Sequence, residues 1–177
     1  MDTFSLDLLG FKRPMIKLYG SPAIIDTGAV IPMTWLSPEL LERAWDAELI
    51  LQNQDISGIG GKAYGDIYRL KDFNIGNLCF DNIEFFVSKE RISRYSFLLS
   101  ATLFHGFKYD IDDTKNQKFI VHIPEGVSLH RNFEIISLEG QMYAQVDGVL
   151  IQDTEDIMPD IDNFSQIEEL IVRHRRR

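Results

Sequence analysis

Apolar residues in this chain come in short blocks, and Gly, Pro, Asn and Asp separate them. That punctuation selects strands, because a strand needs only about four to eight residues whereas a packed helix needs ten or more. Residues 14–19 alternate well enough for a strand, and Gly20-Ser21-Pro22 supplies turn chemistry before Ala23-Ile24-Ile25 resumes. Another apolar stretch covers 30–36, and further strands are expected over 64–73, 75–80 and 83–87, punctuated by Asn77 and Asp81-Asn82 as turn residues. Two hairpins should follow. One joins 107–111 to 118–123 through a polar loop, and the other joins 133–138 to 142–151 around Glu139-Gly140-Gln141. One segment reads as the main helix. Ser37 is a good N-cap and Pro38 sits at the first helical position. Leu40, Leu41, Ala44 and Trp45 share one face, with fraying near 46–48. A short helix within 97–107 and a terminal helix from 163 to about 174, after an acidic loop, complete an all-β class.

With 177 residues, 45% of them apolar, the chain can bury a real core as one domain. Its single cysteine, Cys79, is read as ruling out an intramolecular disulfide framework and any Cys-based zinc site. His105, His122, His130 and His174 show no metal-ligand pairing on one helix face, so neither a metal nor another cofactor is expected. No apolar run has the length of a membrane helix, and acids occupy the N-terminus where a secretory signal carries bases. The expectation is a soluble, cytoplasmic protein with no membrane partner. Acids outnumber bases 27 to 18, a net charge of -9, which lowers the prior for phosphate-backbone binding and hence for a nucleic-acid partner. The basic run Arg173-His174-Arg175-Arg176-Arg177 reads as a solvated helix end.

The sharpest motif is Ile24-Ile25-Asp26-Thr27-Gly28-Ala29, an apolar strand that delivers an aspartate straight into a tight turn. Asp-Thr-Gly alone is weak evidence, and an ordinary turn aspartate bonding its own backbone is the plain alternative. The chemical reading is specific. Two carboxylates in contact cannot both ionise, so one acts as base on a water while the other acts as acid toward a substrate. Gly28 lets two such loops approach, and the Thr27 hydroxyl can tie one loop to its partner. The second carboxylate is not supplied in the same setting within the chain: Asp113-Thr114 leads to Lys115, and Asp153-Thr154 leads to Glu155. Asp26 of a second, identical chain is the simplest source, with a two-fold axis between the pair.

Three elements in order make the chain resemble the retroviral-type aspartic proteases, the retropepsins, over roughly residues 15–111. They are Ile24 to Ala29, the glycine-rich Gly58-Ile59-Gly60-Gly61, and the apolar Phe97-Leu98-Leu99-Ser100 before a short helix. The resemblance implies a closed β-barrel of the acid-protease type over residues 13–123, preceded by an N-terminal arm (1–12) and followed by an extension of strands and a helix (124–177). It implies a homodimer with Asp26 catalytic and Thr27, Gly28 and Ala29 supporting its loop. It also implies Gly58, Ile59, Gly60 and Gly61 as a flap over an extended peptide substrate, and Leu98, Leu99 and Ser100 as the loop behind the site. The family usually has glycine at the position of Ser100. The expected activity is aspartic endopeptidase cleavage, and the alternative is a non-catalytic peptide-binding or dimerisation module with the same fold. Gly58 to Ala63 also fits a relaxed dinucleotide pattern, but the segment before it is polar and the segment after it reads as strand, not helix. A phosphate loop fails at Ile56 and Ala63.

Overall fold

The computed structural model describes residues 2–9, 14–58, 61–90, 95–112 and 117–151. In chain order they form β1 (Asp2–Asp7), β2 (Met15–Leu18), β3 (Ser21–Asp26), β4 (Met33–Thr34), α1 (Pro38–Trp45), β5 (Glu48–Gly58) and β6 (Gly61–Ile75). They continue with β7 (Leu78–Ser88), β8 (Phe97–Ser100), a 3-10 turn (Ala101–Phe104), β9 (Lys108–Asp112), β10 (Lys118–Ile123), β11 (His130–Leu138), β12 (Gln141–Val146) and β13 (Val149–Leu150). The protein is thus mostly β. Among the described residues, no helix is long and apolar enough to cross a membrane. The acidic loop, the terminal helix expected from residue 163 and the basic run lie outside the described residues.

The strands make two sheets. The smaller has the order β1-β10-β9, and the larger runs β13-β12-β11-β7-β4-β8-β3-β2, with the β5–β6 hairpin attached through β6 to β7. Among the described residues this path has two ends and does not close on itself. A bridge between Leu8 and Ile16 links the two sheets. The segment assigned to an N-terminal arm is therefore mostly strand, since β1 pairs antiparallel with β10 from Asp2–Ile123 to Asp7–Lys118. An ion pair between Asp7 and Lys118 closes that ladder.

The helix forms for the local reasons its sequence contains. The Ser37 hydroxyl accepts from the Leu40 N–H at 3.3 Å, Pro38 opens the first turn, and Asp46 ends the helix in the left-handed region at φ 50°. Its inward face brings Trp45 against Tyr19, Phe73 and Phe97, with ring centroids 5.1–5.9 Å apart. A second aromatic group, Phe104, Tyr109 and Phe119, joins the 3-10 turn to the smaller sheet. Each such pair contributes about 0.5–1.5 kcal/mol beyond burial of its area.

Three turn expectations change. Residues 75–80 are not one strand, because Gly76 (φ 58°) and Asn77 form the turn from β6 to β7. A Cβ on Gly76 would lie 2.5 Å from the Phe4 ring of β1, so both the backbone angle and the arm strand demand glycine. Asp81-Asn82 do not turn, and β7 runs through them unbroken. Their polar side chains serve a strand seam instead: Asn82 bonds Asn132 and Asp81 bonds His130, each at 3.0 Å. Residues 142–151 break at Asp147-Gly148, where both residues take positive φ (49° and 82°) and fold β12 back onto β13.

The strands after Pro124 belong to the large sheet. β11 lies parallel to β7, in register from His130–Cys79 to Phe133–Ile83, with an irregularity between Arg131 and Asn132. Beyond Phe133, the buried Glu84 carboxylate takes over from the ladder. It accepts from the Ile135 N–H at 2.9 Å and from Arg69 at 2.8 Å and 3.1 Å. Arg131 is buried, and among the described residues no carboxylate forms an ion pair with it. Its guanidinium donates to the carbonyls of Leu103 and His105 at 2.8 Å and 2.7 Å and stacks over Phe107. Burial pulls its pKa down to about 10.

Candidate active site

Asp26 is the last residue of β3, which is sandwiched between antiparallel β2 and parallel β8. Ile24 and Ile25 are both buried, so the strand is covered on both faces and its end is fixed in space. The chain then turns sharply. The Gly28 N–H donates to Asp26 Oδ1 at 3.0 Å, and the Ala29 N–H donates to the Asp26 carbonyl at 3.1 Å. Thr27, Gly28 and Ala29 are buried, while Asp26 is only half-buried, so its carboxylate is the accessible part of the turn. A backbone N–H on one oxygen orients the carboxylate.

The second loop stands beside the first. In the parallel ladder Ile24 faces Leu98, Ile25 faces Leu99, and Asp26 faces Ser100. Leu99 and Ser100 are fully buried and Leu98 is half-buried. The serine is accommodated by its hydroxyl. Thr102 Oγ1 donates to the Val30 carbonyl at 2.6 Å, which uses its only proton, so Ser100 Oγ donates to Thr102 Oγ1 at 2.7 Å. A two-hydroxyl relay thus fastens the strand behind the site to the residue just after the Asp26 turn. Replacing Thr102 with Val strands both the Ser100 hydroxyl and the Val30 carbonyl. The expected cost is about 2 kcal/mol, read as a lower urea midpoint at unchanged slope.

Tyr109, on β9, is a feature that motif reading missed. It is 1% exposed, and its hydroxyl has no hydrogen-bond partner among the described residues. Burial first, and the negative charge of Asp26 second, push its phenol above the usual range. The Asp26 carboxylate is therefore felt by a buried phenol on the neighbouring sheet. The available signal was an aromatic with a polar tip at an inward position of an alternating strand.

The glycine-rich segment lies on the β5–β6 hairpin, with Gly58 paired to Gly61; Ile59 and Gly60 fall outside the described residues. Nearer the sheet the hairpin is pinned. The Asn53 N–H donates to Asp66 at 2.9 Å, Tyr64 donates to Asn53 at 2.7 Å, and a Cβ on Gly65 would collide with the Val87 carbonyl at 2.1 Å. Leu49, Leu51 and Tyr64 expose large apolar surface along it. The structure thus places Ile24 to Asp26 against Leu98 to Ser100, with Thr27 to Ala29 in the turn that follows, and sets the Gly58–Gly61 pair on a separate hairpin.

Helix-face spacing is not the only way to gather donor atoms. Across the β7–β11 seam, Cys79, Asp81 and His130 bring their donor atoms within 4.8 Å of one another. A scan against protein-family models, a search of curated proteins and a search of solved structures each return no match.

Proposed function

We propose that the protein is an aspartic endopeptidase of the retropepsin type, acting as a homodimer in which each chain contributes Asp26. The observation that carries this reading is the pairing of two buried apolar strands, β3 and β8, which present Asp26 in a tight turn with one oxygen held by the Gly28 N–H. That is the local frame a water-activating carboxylate needs: fixed, partly solvated and backed by core. In this reading a water between the two Asp26 carboxylates attacks the scissile carbonyl, and the shared proton passes to the leaving amine. An extended peptide lies between the dyad and the Gly58–Gly61 hairpin, bonded through its backbone as an added strand. The closed barrel belongs to the same proposal, with the second copy completing the pairing that one chain leaves open.

Peptide-library cleavage from acid to neutral pH tests the assignment, with Asp26→Asn as the control. Specific activity should also fall on dilution through the dimer dissociation constant, because one chain holds one Asp-Thr-Gly. Sedimentation of the active species as a monomer would refute the shared site. Peptide binding without cleavage would instead select the non-catalytic module of the same fold. Substituting Gly60 and Gly61 by Val should lower turnover about tenfold or more without shifting the melting temperature, since an ordered β-branched tip opposes flap motion. Wild-type turnover in that variant would argue against a flap.

A further inference from the structure

We infer that Cys79, Asp81 and His130 form a divalent-metal site of the zinc class on the seam between β7 and β11, independent of Asp26. Sheet geometry brings the three side chains together. Cys79 and Asp81 are two apart on β7 and so share one face, with the buried Phe80 between them pointing to the other. His130 stands directly opposite Cys79 in the parallel ladder. The backbone holds that register: the Cys79 N–H donates to the Leu129 carbonyl at 2.8 Å, and the His130 N–H donates to the Ser128 hydroxyl at 3.0 Å. One step further along, Asn82 and Asn132 bond side chain to side chain.

The separations suit coordination. His130 Nδ1 is 3.0 Å from Asp81 Oδ1, and Cys79 Sγ is 3.9 Å from the same oxygen. Tetrahedral zinc with bonds of about 2.0–2.1 Å to N and O and about 2.3 Å to S sets its donors about 3.3–3.6 Å apart, between those two values. A sulfur, an imidazole nitrogen and a carboxylate oxygen is a donor set that selects zinc and its neighbours over calcium or magnesium. Asp81 and His130 are exposed and Cys79 is half-buried, so a metal reaches all three from solution and retains an open position for water. Without a metal, the exposed Asp81–His130 pair is only a weak surface contact. With one, β7 and β11 gain a cross-link, and the strands after Pro124 are locked to the strand at the centre of the large sheet.

The test uses the untagged full chain titrated with Co²⁺ and with Zn²⁺. Cys79 is the only cysteine, so a thiolate-to-cobalt charge-transfer band has a single possible source. One equivalent of Co²⁺ per chain should bind with that band and with tetrahedral visible absorption, and Zn²⁺ should displace it. Zinc at a hundredfold excess over Kd should raise the melting temperature by about 5–10 °C. Cys79→Ser should abolish the band, and His130→Ala and Asp81→Asn should each weaken binding by about 100-fold or more. That exceeds the usual loss on removing an outer partner. The mutated His130 and Asp81 side chains are exposed, so both variants should fold. Absence of saturable cobalt binding, or an equal zinc-induced rise in melting temperature in Cys79→Ser, would overturn the site.

Discussion

Asp26→Asn protein should lose peptide-bond cleavage by at least about 1,000-fold while keeping its melting temperature within a degree or two of wild type. The two halves of this result follow from separate features. The bond from the Gly28 N–H to Oδ1 survives, because the asparagine amide oxygen accepts it in the same place. The flanking core of Ile24, Ile25 and Leu99 is untouched. What disappears is the group able to take and return a proton, and because both chains of the proposed dimer carry the substitution, both members of the acid–base pair are lost. The measurement is kcat/KM on a cleaved library peptide, beside a thermal melt of the same sample. Undiminished proteolysis by pure Asp26→Asn protein would remove the protease assignment from this site.

Truncation after Ile123 should leave no soluble, cooperatively folded protein. The cut removes β11, β12 and β13, and with them the buried side chains of Phe133, Ile135, Val146 and Ile151. At about 1.5–3 kcal/mol for each such side chain, the loss is about 6–12 kcal/mol. The entire stability of a domain is about 5–15 kcal/mol. Polar losses add to it. The Leu103 and His105 carbonyls lose the Arg131 guanidinium, and Glu84 loses the Ile135 N–H. The parallel edge of β7 that β11 covers would also be bare, inviting pairing with other chains. Expression, size-exclusion chromatography and a thermal scan of residues 1–123 check this. A truncated protein that stays soluble and melts like the full chain would make the last strands an appendage.

Local signals were legible in the sequence and register was not. Ser37 and Pro38 specified the start of α1 because capping depends on neighbours a few positions away. The apolar block around residue 24 announced a strand for the same reason, whereas residues 97–100 read only as an apolar stretch before a short helix and form β8. Asp81-Asn82 read as a turn because their composition is turn-like, and only the arrival of β11 makes them strand residues with partners at His130 and Asn132. The acids Asp2 and Asp7 drew attention from the alternation of Phe4 and Leu6, which places β1 beside β10. Asp147-Gly148 carried a strong hairpin signal inside a segment read as one strand. At the candidate site, Asp26 and Ser100 were visible as letters, but the hydroxyl relay through Thr102 and the buried Tyr109 phenol depend on strands that meet only after folding. The Cys79–Asp81–His130 group lies beyond any spacing rule, since its members sit on strands joined through a parallel ladder.

The parallel pairing of β3 with β8 also sets an order of events during folding. Its partners lie more than seventy residues apart, from Ala23–Phe97 to Asp26–Ser100, and parallel strands cannot be zipped from a hairpin. By contrast β5, β6 and β7 are consecutive and antiparallel, and their tips close over a few residues. The meander therefore forms early, and the joining of β3 to β8 waits for long-range closure. As the chain leaves the ribosome, Asp26 emerges more than seventy residues before Ser100, the strand partner that frames it. Its turn acquires a fixed direction only once Ser100 and Thr102 have emerged, and the sheet behind it is complete only when β11 reaches β7. Until those strands arrive, a nascent chain carries its aspartate without the scaffold that would aim it.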